Sequence, residues 1–233
     1  MPRGSSWPVD YGPVSNVSRV WQNRLFARTV GAFYARAIEQ RGATRVLGRL
    51  IFGTDVGRIY AAMDVVTELP DGSTVLDVPC GGGITAALLR PGQRVRYVAM
   101  DISAGMLDHA RRRLTPDQQR IVEFAEASIE AIPFGDGEFD LCVCFNGLHC
   151  LPDPAAAIRE IARVLKPGGR LIGDFVTRGE VRRSDAYMVL MRASGTFGPS
   201  GTAADARRWL ADAGLTVDAF ETSGAITHFV AHK

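Results

Sequence analysis

The sequence predicts an α/β protein built on one open, doubly wound, mainly parallel sheet. Three observations carry that prediction. From Ser73 onward, short apolar runs alternate with helical patterns. This is the rhythm of strands whose crossovers cover both faces of a parallel sheet. The first run, Val75-Leu76-Asp77-Val78, leads into three successive glycines, Gly81 to Gly83, ahead of a helical pattern. The final stretch breaks the rhythm. Leu215–Glu221 and Ile226–Ala231 read as two strands around Thr222-Ser223-Gly224-Ala225, a terminal hairpin.

The elements follow in order. Residues 1–13 hold Pro2, Gly4, Pro8, Gly12 and Pro13 and read as a flexible tail. Residues 14–70 read as an N-terminal helical cap. Phe26, Val30, Phe33 and Ala37 recur at helical spacing, with Gly42 as a stop, and a further helix is expected from about Asp55 to Leu69 with Thr54 or Asp55 as its N-cap. Residues 71–233 read as the sheet domain. Its first five strands are expected at Thr74–Val78, Arg94–Met100, Arg120–Phe124, Phe139–Phe145 and Arg170–Val176. Helices are expected after Gly83 and at Ser103–Arg113, Asp153–Leu165 and Ala203–Ala213, with Asp153-Pro154 as a cap and first-turn pair. Residues 177–202 are long for a strand-to-helix connection and read as an inserted lid.

The bulk properties bound the function. The 233 residues are 46% hydrophobic and 22% charged, enough apolar material for a single substantial core. A net charge of +2 gives no global argument for nucleic acid. The basic residues are uneven: Arg19, Arg24, Arg28, Arg36, Arg41, Arg45, Arg49 and Arg58 are opposed only by Glu39 and Asp55. Solvated helix faces explain them most simply. A peripheral contact with anionic membrane, or a homodimer face, is the sharper alternative. No signal peptide or membrane-spanning run is visible, so a cytoplasmic location is expected. The four cysteines lack the paired spacing of a zinc site and read as reduced, mostly buried thiols; Cys142 and Cys144 share one face of a strand.

The chemistry concentrates at strand ends. Val75-Leu76-Asp77-Val78-Pro79-Cys80-Gly81-Gly82-Gly83 joins a strand, a carboxylate and a glycine turn. In an open α/β sheet, ligands bind at the carboxyl ends of the strands. Glycines there expose backbone amides to a ligand, and Asp77 favours an ammonium group over a pyrophosphate. In Tyr97-Val98-Ala99-Met100-Asp101-Ile102-Ser103, Asp101 is placed to accept from both hydroxyls of a ribose, with Ile102 and Met106 as an apolar surface for adenine. An N-cap role is the competing reading of Asp101, with Ser103 as rival. Gly81, Gly83 and Ala86 also satisfy G-x-G-x-x-A, the weak signature of a nicotinamide dinucleotide site.

Two further blocks decide between these ligands. Ile132-Pro133-Phe134-Gly135-Asp136-Gly137-Glu138-Phe139-Asp140 leads into the fourth strand, and Arg163-Val164-Leu165-Lys166-Pro167-Gly168-Gly169-Arg170-Leu171 leads into the fifth. With these blocks the chain resembles the class I S-adenosylmethionine-dependent methyltransferases, in particular the ubiquinone/menaquinone-biosynthesis-like group of methyltransferase type 11. The resemblance runs from about Ser73 to Val176. It implies a Rossmann-like, seven-stranded sheet with an antiparallel last strand. It implies S-adenosyl-L-methionine as cofactor, with Asp77, Pro79, Cys80, Gly81, Gly82 and Gly83 around the methionine end and Asp101 and Ile102 on the nucleoside. It also puts Ser128 and Ile129 at the adenine edge and Asn146 beside the methionine. Two departures stand out. Pro79, without an N–H, replaces the usual first glycine, and Ser128 replaces a frequent aspartate.

The activity so implied is methyl transfer to a small, apolar or lipid-like molecule at oxygen or carbon. The alternatives are a nicotinamide-dependent oxidoreductase and a non-catalytic binding protein on the same fold. Methyl transfer from a sulfonium needs a nucleophile held in line, and a base where the acceptor carries a proton. His149, just past the fourth strand, is the candidate base; a loop-ordering role is the alternative. Tyr187, Met188, Met191 and Phe197 in the lid offer an apolar lining for a substrate, or the packing face of a short helix.

Overall fold

The computed structural model describes Val20, Trp21, Val46 and residues 48–55 and 57–233. The expected tail, the helix around Phe26–Ala37 and the arginines from Arg19 to Arg45 lie outside the described residues.

Seven strands form one sheet in the order β3-β2-β1-β4-β5-β7-β6. They are β1 (Thr74–Asp77), β2 (Arg96–Asp101), β3 (Val122–Glu126), β4 (Phe139–Phe145), β5 (Leu165–Val176), β6 (Thr216–Ser223) and β7 (Ile226–His232). The first five are parallel, and β7 runs antiparallel to both β5 and β6. The order reverses between β1 and β4, which opens a crevice at their carboxyl ends.

The helices are α1 (Gly57–Met63), α2 (Ala104–Arg113), α3 (Pro116–Ile121), α4 (Pro154–Val164), α5 (Arg182–Ala193) and α6 (Ala203–Asp212). Caps set several of their starts. Ser103 accepts from the Met106 N–H and Asp153 from Ala156, while Thr115 and Thr202 each close a capping box. Asp55 accepts from the Gly57 N–H at the start of α1, and Thr54 turns to Ser223 instead.

Three expectations need correction. The helix expected after Gly83 is a run of turns and a short 3-10 segment, Ala86–Leu88. Its backbone is drawn against Ala110 of α2 at Gly83 and is fixed by Gln118, whose side-chain amide donates to the carbonyls of Ala87 and Leu89. The helix expected over Asp55–Leu69 is α1 followed by a 3-10 segment at Asp64–Glu68. Strand β5 begins five residues early because Leu165 pairs with Phe139 across a bulge, and Gly168 and Gly169 carry the strand on by bonding to Lys233.

The sheet separates two apolar layers. One lies beneath α4 and α6 and gathers Leu76, Val98, Cys142, Ile161 and Leu171. The other lies beneath α1 and the 3-10 segments and gathers Val75, Tyr97, Ala99, Val143 and Ile172. The two blocks around Pro133 and Pro167 now have a structural role. Arg163 donates to Glu160, Asp136 and the carbonyls of Ile132 and Phe134, stitching the approach to β4 onto α4. Asp140 holds Lys166 and the Thr74 amide at 2.8 Å each, clamping β1, β4 and β5 at their amino ends.

Candidate active site

Strand alternation gives the site its composition. Asp77, Asp101 and Asp174 occupy the same parity as Val75, Tyr97 and Ile172, so all three carboxylates face the α1 side of the sheet at its carboxyl edge. All three are buried.

Asp77 accepts from the Tyr97 hydroxyl at 2.7 Å. Burial pushes its carboxyl up to about 7; the Tyr97 bond opposes the shift and the nearby Asp101 charge adds to it. The glycine turn follows. The Cys80 N–H donates to the Met100 carbonyl at 2.8 Å, which hooks the turn onto β2. The Gly81 N–H donates to Asp101 Oδ2 at 2.9 Å, and Arg113 Nε donates to the Gly82 carbonyl at 2.6 Å. Gly83 has φ +72°, and a Cβ there would press on the Ala110 backbone, so it serves helix packing. Gly81, at φ +52°, faces open space, with only Met106 Cε within 4 Å of an added Cβ.

Asp101 accepts from Gly81 and, through Oδ1, from the Ser103 N–H at 2.9 Å. Ser103 is therefore the helix cap, and Asp101 braces the glycine turn. Burial lifts its carboxyl to about 6 against these backbone bonds. Two of its four lone-pair sites remain for a diol. Neither Asp77 nor Asp101 has a cationic partner among the described residues. Two desolvated carboxylates at the rim of a glycine turn fit a ligand that is cationic and carries hydroxyls, and they oppose a pyrophosphate.

Pro79 finds its reason at β4. Its ring lies where a Cβ on Gly147 would stand, so proline and glycine form a complementary pair. Asn146 adopts φ +53°, a conformation asparagine tolerates, and its N–H donates to both the side chain and the carbonyl of Asp174 at 3.0 and 3.2 Å. Ile102 is half-buried beside Asp101. Ser128 accepts from the Glu130 N–H at 3.2 Å, closing its own turn.

Two expected side chains are packed into the interior. Ile129 lies in the core cluster beneath α4 with Ile132 and Leu148. His149 is also buried, and its Nδ1 accepts from the Val176 N–H at 3.2 Å. That fixes the proton on Nε2. Burial drives the imidazole down to about 3, and the ring packs edge-on against Phe197 at 4.6 Å. A ring so engaged fits the loop-ordering alternative better than the role of a base.

The segment expected as a lid contains α5 and its flanks. Tyr187 meets Phe52 at 5.7 Å and Phe197 at 6.0 Å, and Met188 is buried with Phe197, Val176 and Ala225. Trp21 donates to the Thr196 carbonyl at 3.0 Å. Among the described residues no group of three or more His, Cys, Asp and Glu side chains is arranged to hold a metal ion, and no helix is long and apolar enough to cross a membrane.

Sequence reasoning missed Tyr97, Asp174 and His228. Asp174 was visible as the one acid inside the apolar run Leu171-Ile172-Gly173-Asp174-Phe175-Val176. His228 carried no signal until β7 was seen to lie beside β5.

Comparison with known proteins agrees with this geometry. Residues 76–173, from β1 to β5, match the model of a family described as a methyltransferase domain. That segment is similar to methyltransferase domains. The chain is 42% identical over 102 residues to the demethylmenaquinone methyltransferase of Clavibacter sepedonicus, a match covering 43% of this chain and 40% of that protein. It is 40% identical over 116 residues to the ubiquinone/menaquinone biosynthesis C-methyltransferase of Stenotrophomonas maltophilia strain R551-3, covering 48% and 45%. The matched segment thus spans less than half the length of these curated relatives. A SAM-dependent methyltransferase from Aquifex aeolicus shares the fold with a TM-score of 0.56 at 21% identity, over 83% of this chain and 97% of that one.

Proposed function

We propose that the chain transfers a methyl group from S-adenosylmethionine to a small apolar acceptor. The observation that carries this reading is the pair of buried carboxylates, Asp77 and Asp101, on either side of the Gly81 turn and without cationic partners among the described residues. Asp77 would hold the ammonium of the methionine moiety, and Asp101 the ribose hydroxyls, with Ile102 and Met106 beneath the adenine. Ser128 is left to the adenine edge, and Asn146 borders the methionine. When bound, the sulfonium supplies an electrophilic methyl group that needs no further activation. The chain's own contribution is position and dryness. The strand ends fix the donor, and α5 with Phe197 and Tyr187 closes an apolar wall over the side where an acceptor would lie. The names of the relatives suit an acceptor of quinone-like size and polarity. His149 orders that wall rather than taking part in the chemistry.

The test is calorimetry and thermal shift with S-adenosylmethionine, S-adenosylhomocysteine and NAD. Micromolar binding of the first two, with a rise in melting temperature by mass action and no response to NAD, is expected. A response to NAD alone would return the oxidoreductase reading, and none at millimolar ligand would remove both.

A further inference from the structure

Among the described residues, three buried side-chain polar atoms lack any hydrogen-bond partner. Two of them, Asp174 Oδ2 and His228 Nε2, belong to one pair. His228 Nδ1 stands 3.7 Å from Asp174 Oδ2, and the two residues are direct cross-strand neighbours on β5 and β7. Buried polar groups are nearly always satisfied, so two orphans in one residue pair, Oδ2 at the contact and Nε2 across the ring from it, call for a partner that binds there. A structural pair would have closed its bonds internally, as Thr177 and Thr227 do at 2.6 Å just above.

The placement says which partner. Along the carboxyl edge the strands run β2, β1, β4, β5, β7. With the nucleoside over β2 and β1 and the methionine over β1 and β4, the next positions belong to the acceptor, and there lie Asp174 and then His228. Both sit on the same sheet face as Asp77 and Asp101. Adjacent strands are about 4.8 Å apart, so His228 stands roughly 10 Å from β4, the span of a ring-sized molecule. Asp174 is held by the Asn146 N–H on its Oδ1, which leaves Oδ2 directed to the histidine.

We propose that His228 is the general base of the methyl transfer, oriented by Asp174. The proposal rests on the cofactor reading above. With Nδ1–H turned to Asp174, Nε2 is left as the free acceptor. At 3.7 Å the pair stands beyond hydrogen-bond distance, and closing it is part of the proposal, since catalytic contacts tighten in the complex. In the step, an oxygen lone pair, or the enolate π pair of an acceptor carbon, forms the new bond to the methyl carbon. The C–S electron pair returns to sulfur as a thioether, and the acceptor's proton passes to His228 Nε2. The resulting imidazolium faces the Asp174 carboxylate. The charged and titratable groups around the ring are Asp174 from β5, Glu221 from β6 and Arg58 from α1, the last two paired with each other. Burial holds the imidazole below its usual range, with Arg58 assisting and Glu221 opposing. It also raises Asp174 to about 7. The working form, neutral histidine beside ionised Asp174, therefore fills as pH rises through about 7.

The test combines three measurements on the full chain and its His228→Gln and Asp174→Asn variants. Calorimetry with S-adenosylhomocysteine should give the same affinity within about 2-fold in wild type and His228→Gln; no binding by wild type would sink the cofactor reading, and the base with it. Nitrogen-15 NMR of labelled histidines should find His228 protonated at Nδ1 above pH 7; the Nε2–H form in the complex would overturn the proposal alone. Methyl transfer to 1,4-naphthoquinol, 2-naphthol and catechol should fall by about 10²- to 10⁴-fold in His228→Gln. The wild-type kcat/KM should rise with pH through about 7, and that rise should vanish in both variants. An unchanged rate or pH profile in His228→Gln would overturn the base while sparing the cofactor site. So would a wild type that binds S-adenosylhomocysteine yet methylates none of the three acceptors.

Discussion

The two faces of the sheet come from the same seven strands and are built to different ends. Beneath α4 and α6 the cluster runs from Leu76 and Val98 to Ile161 and Phe175, and none of the buried carboxylates among the described residues lies on that face. Beneath α1 the same strands bury Asp77, Asp101 and Asp174, and the hydroxyl of Tyr97 is spent on one of them. Burying a carboxylate without a cation costs free energy. One face therefore stabilises the fold, and the other gives up stability to keep a polar site dry. This divides the molecule into a scaffold and a working surface one strand thickness apart.

The difference can be broken from the scaffold side first, where the largest effect is expected. Ile161→Ala empties a fully buried site under α4 and should destabilise the fold by about 2–5 kcal/mol, read from denaturant unfolding. Affinity for S-adenosylhomocysteine, measured well below the melting temperature, should not change. A matching loss of affinity would mean that the two faces are coupled.

Asp77→Asn makes the opposite trade. Removing a charge-assisted contact should weaken binding of S-adenosylhomocysteine by about 1.5–3 kcal/mol, roughly 10- to 150-fold. The unliganded protein should become more stable near pH 8, because the amide keeps the Tyr97 bond without a buried charge. A variant that loses stability as well would show Asp77 to be a structural residue.

How far the sequence carried this division depends on what each residue needs in order to be seen. The apolar face was legible because burial on both sides of a parallel sheet writes continuous runs such as Val75-Leu76 and Leu141–Phe145. Asp77, Asp101 and the glycine turn were legible because each stands at a change of pattern, where a strand gives way to a turn. Strand β4 was placed to the residue for the same reason. Asp174 and His228 were not, since their meaning lies in a pairing between strands 54 residues apart that only topology creates. The helix after Gly83 failed for a related cause. Local propensity favoured it, and tertiary contacts from Ala110 and Gln118 took the backbone elsewhere.

The glycine turn allows a finer cut. Gly83→Ala combines a left-handed backbone with a collision against Ala110 and should cost about 2–5 kcal/mol of stability. Gly81→Ala meets no backbone, so its cost to folding should be smaller, about 1–2 kcal/mol, from the backbone conformation alone. Its Cβ enters the space assigned to the methionine end, so its loss of ligand affinity should exceed that of Gly83→Ala. Equal losses in affinity would remove the distinction between a packing glycine and a binding one.

The smallest effect is the most specific to the working face. Burial raises Asp77 and Asp174 to about 7 and Asp101 to about 6, against an ordinary value of 3.8. A carboxyl whose folded value is raised stabilises the fold fully at low pH, and that contribution is lost as pH rises through the folded value. His149 and His228 are shifted downward, so their effect runs the other way, but it is complete above the ordinary histidine value of 6.5. The interval from pH 6.5 to 8 thus isolates the acids. The melting temperature of the unliganded protein should fall across it by about 2–4 °C for each kcal/mol lost. Saturating S-adenosylmethionine, whose ammonium and sulfonium would supply the missing positive charge, should flatten the fall. Asp77→Asn should reduce it without ligand. A melting temperature that stays level or climbs from pH 6.5 to 8 would mean that the three carboxylates are not strained by their burial, and the contrast between the faces would lose its energetic basis.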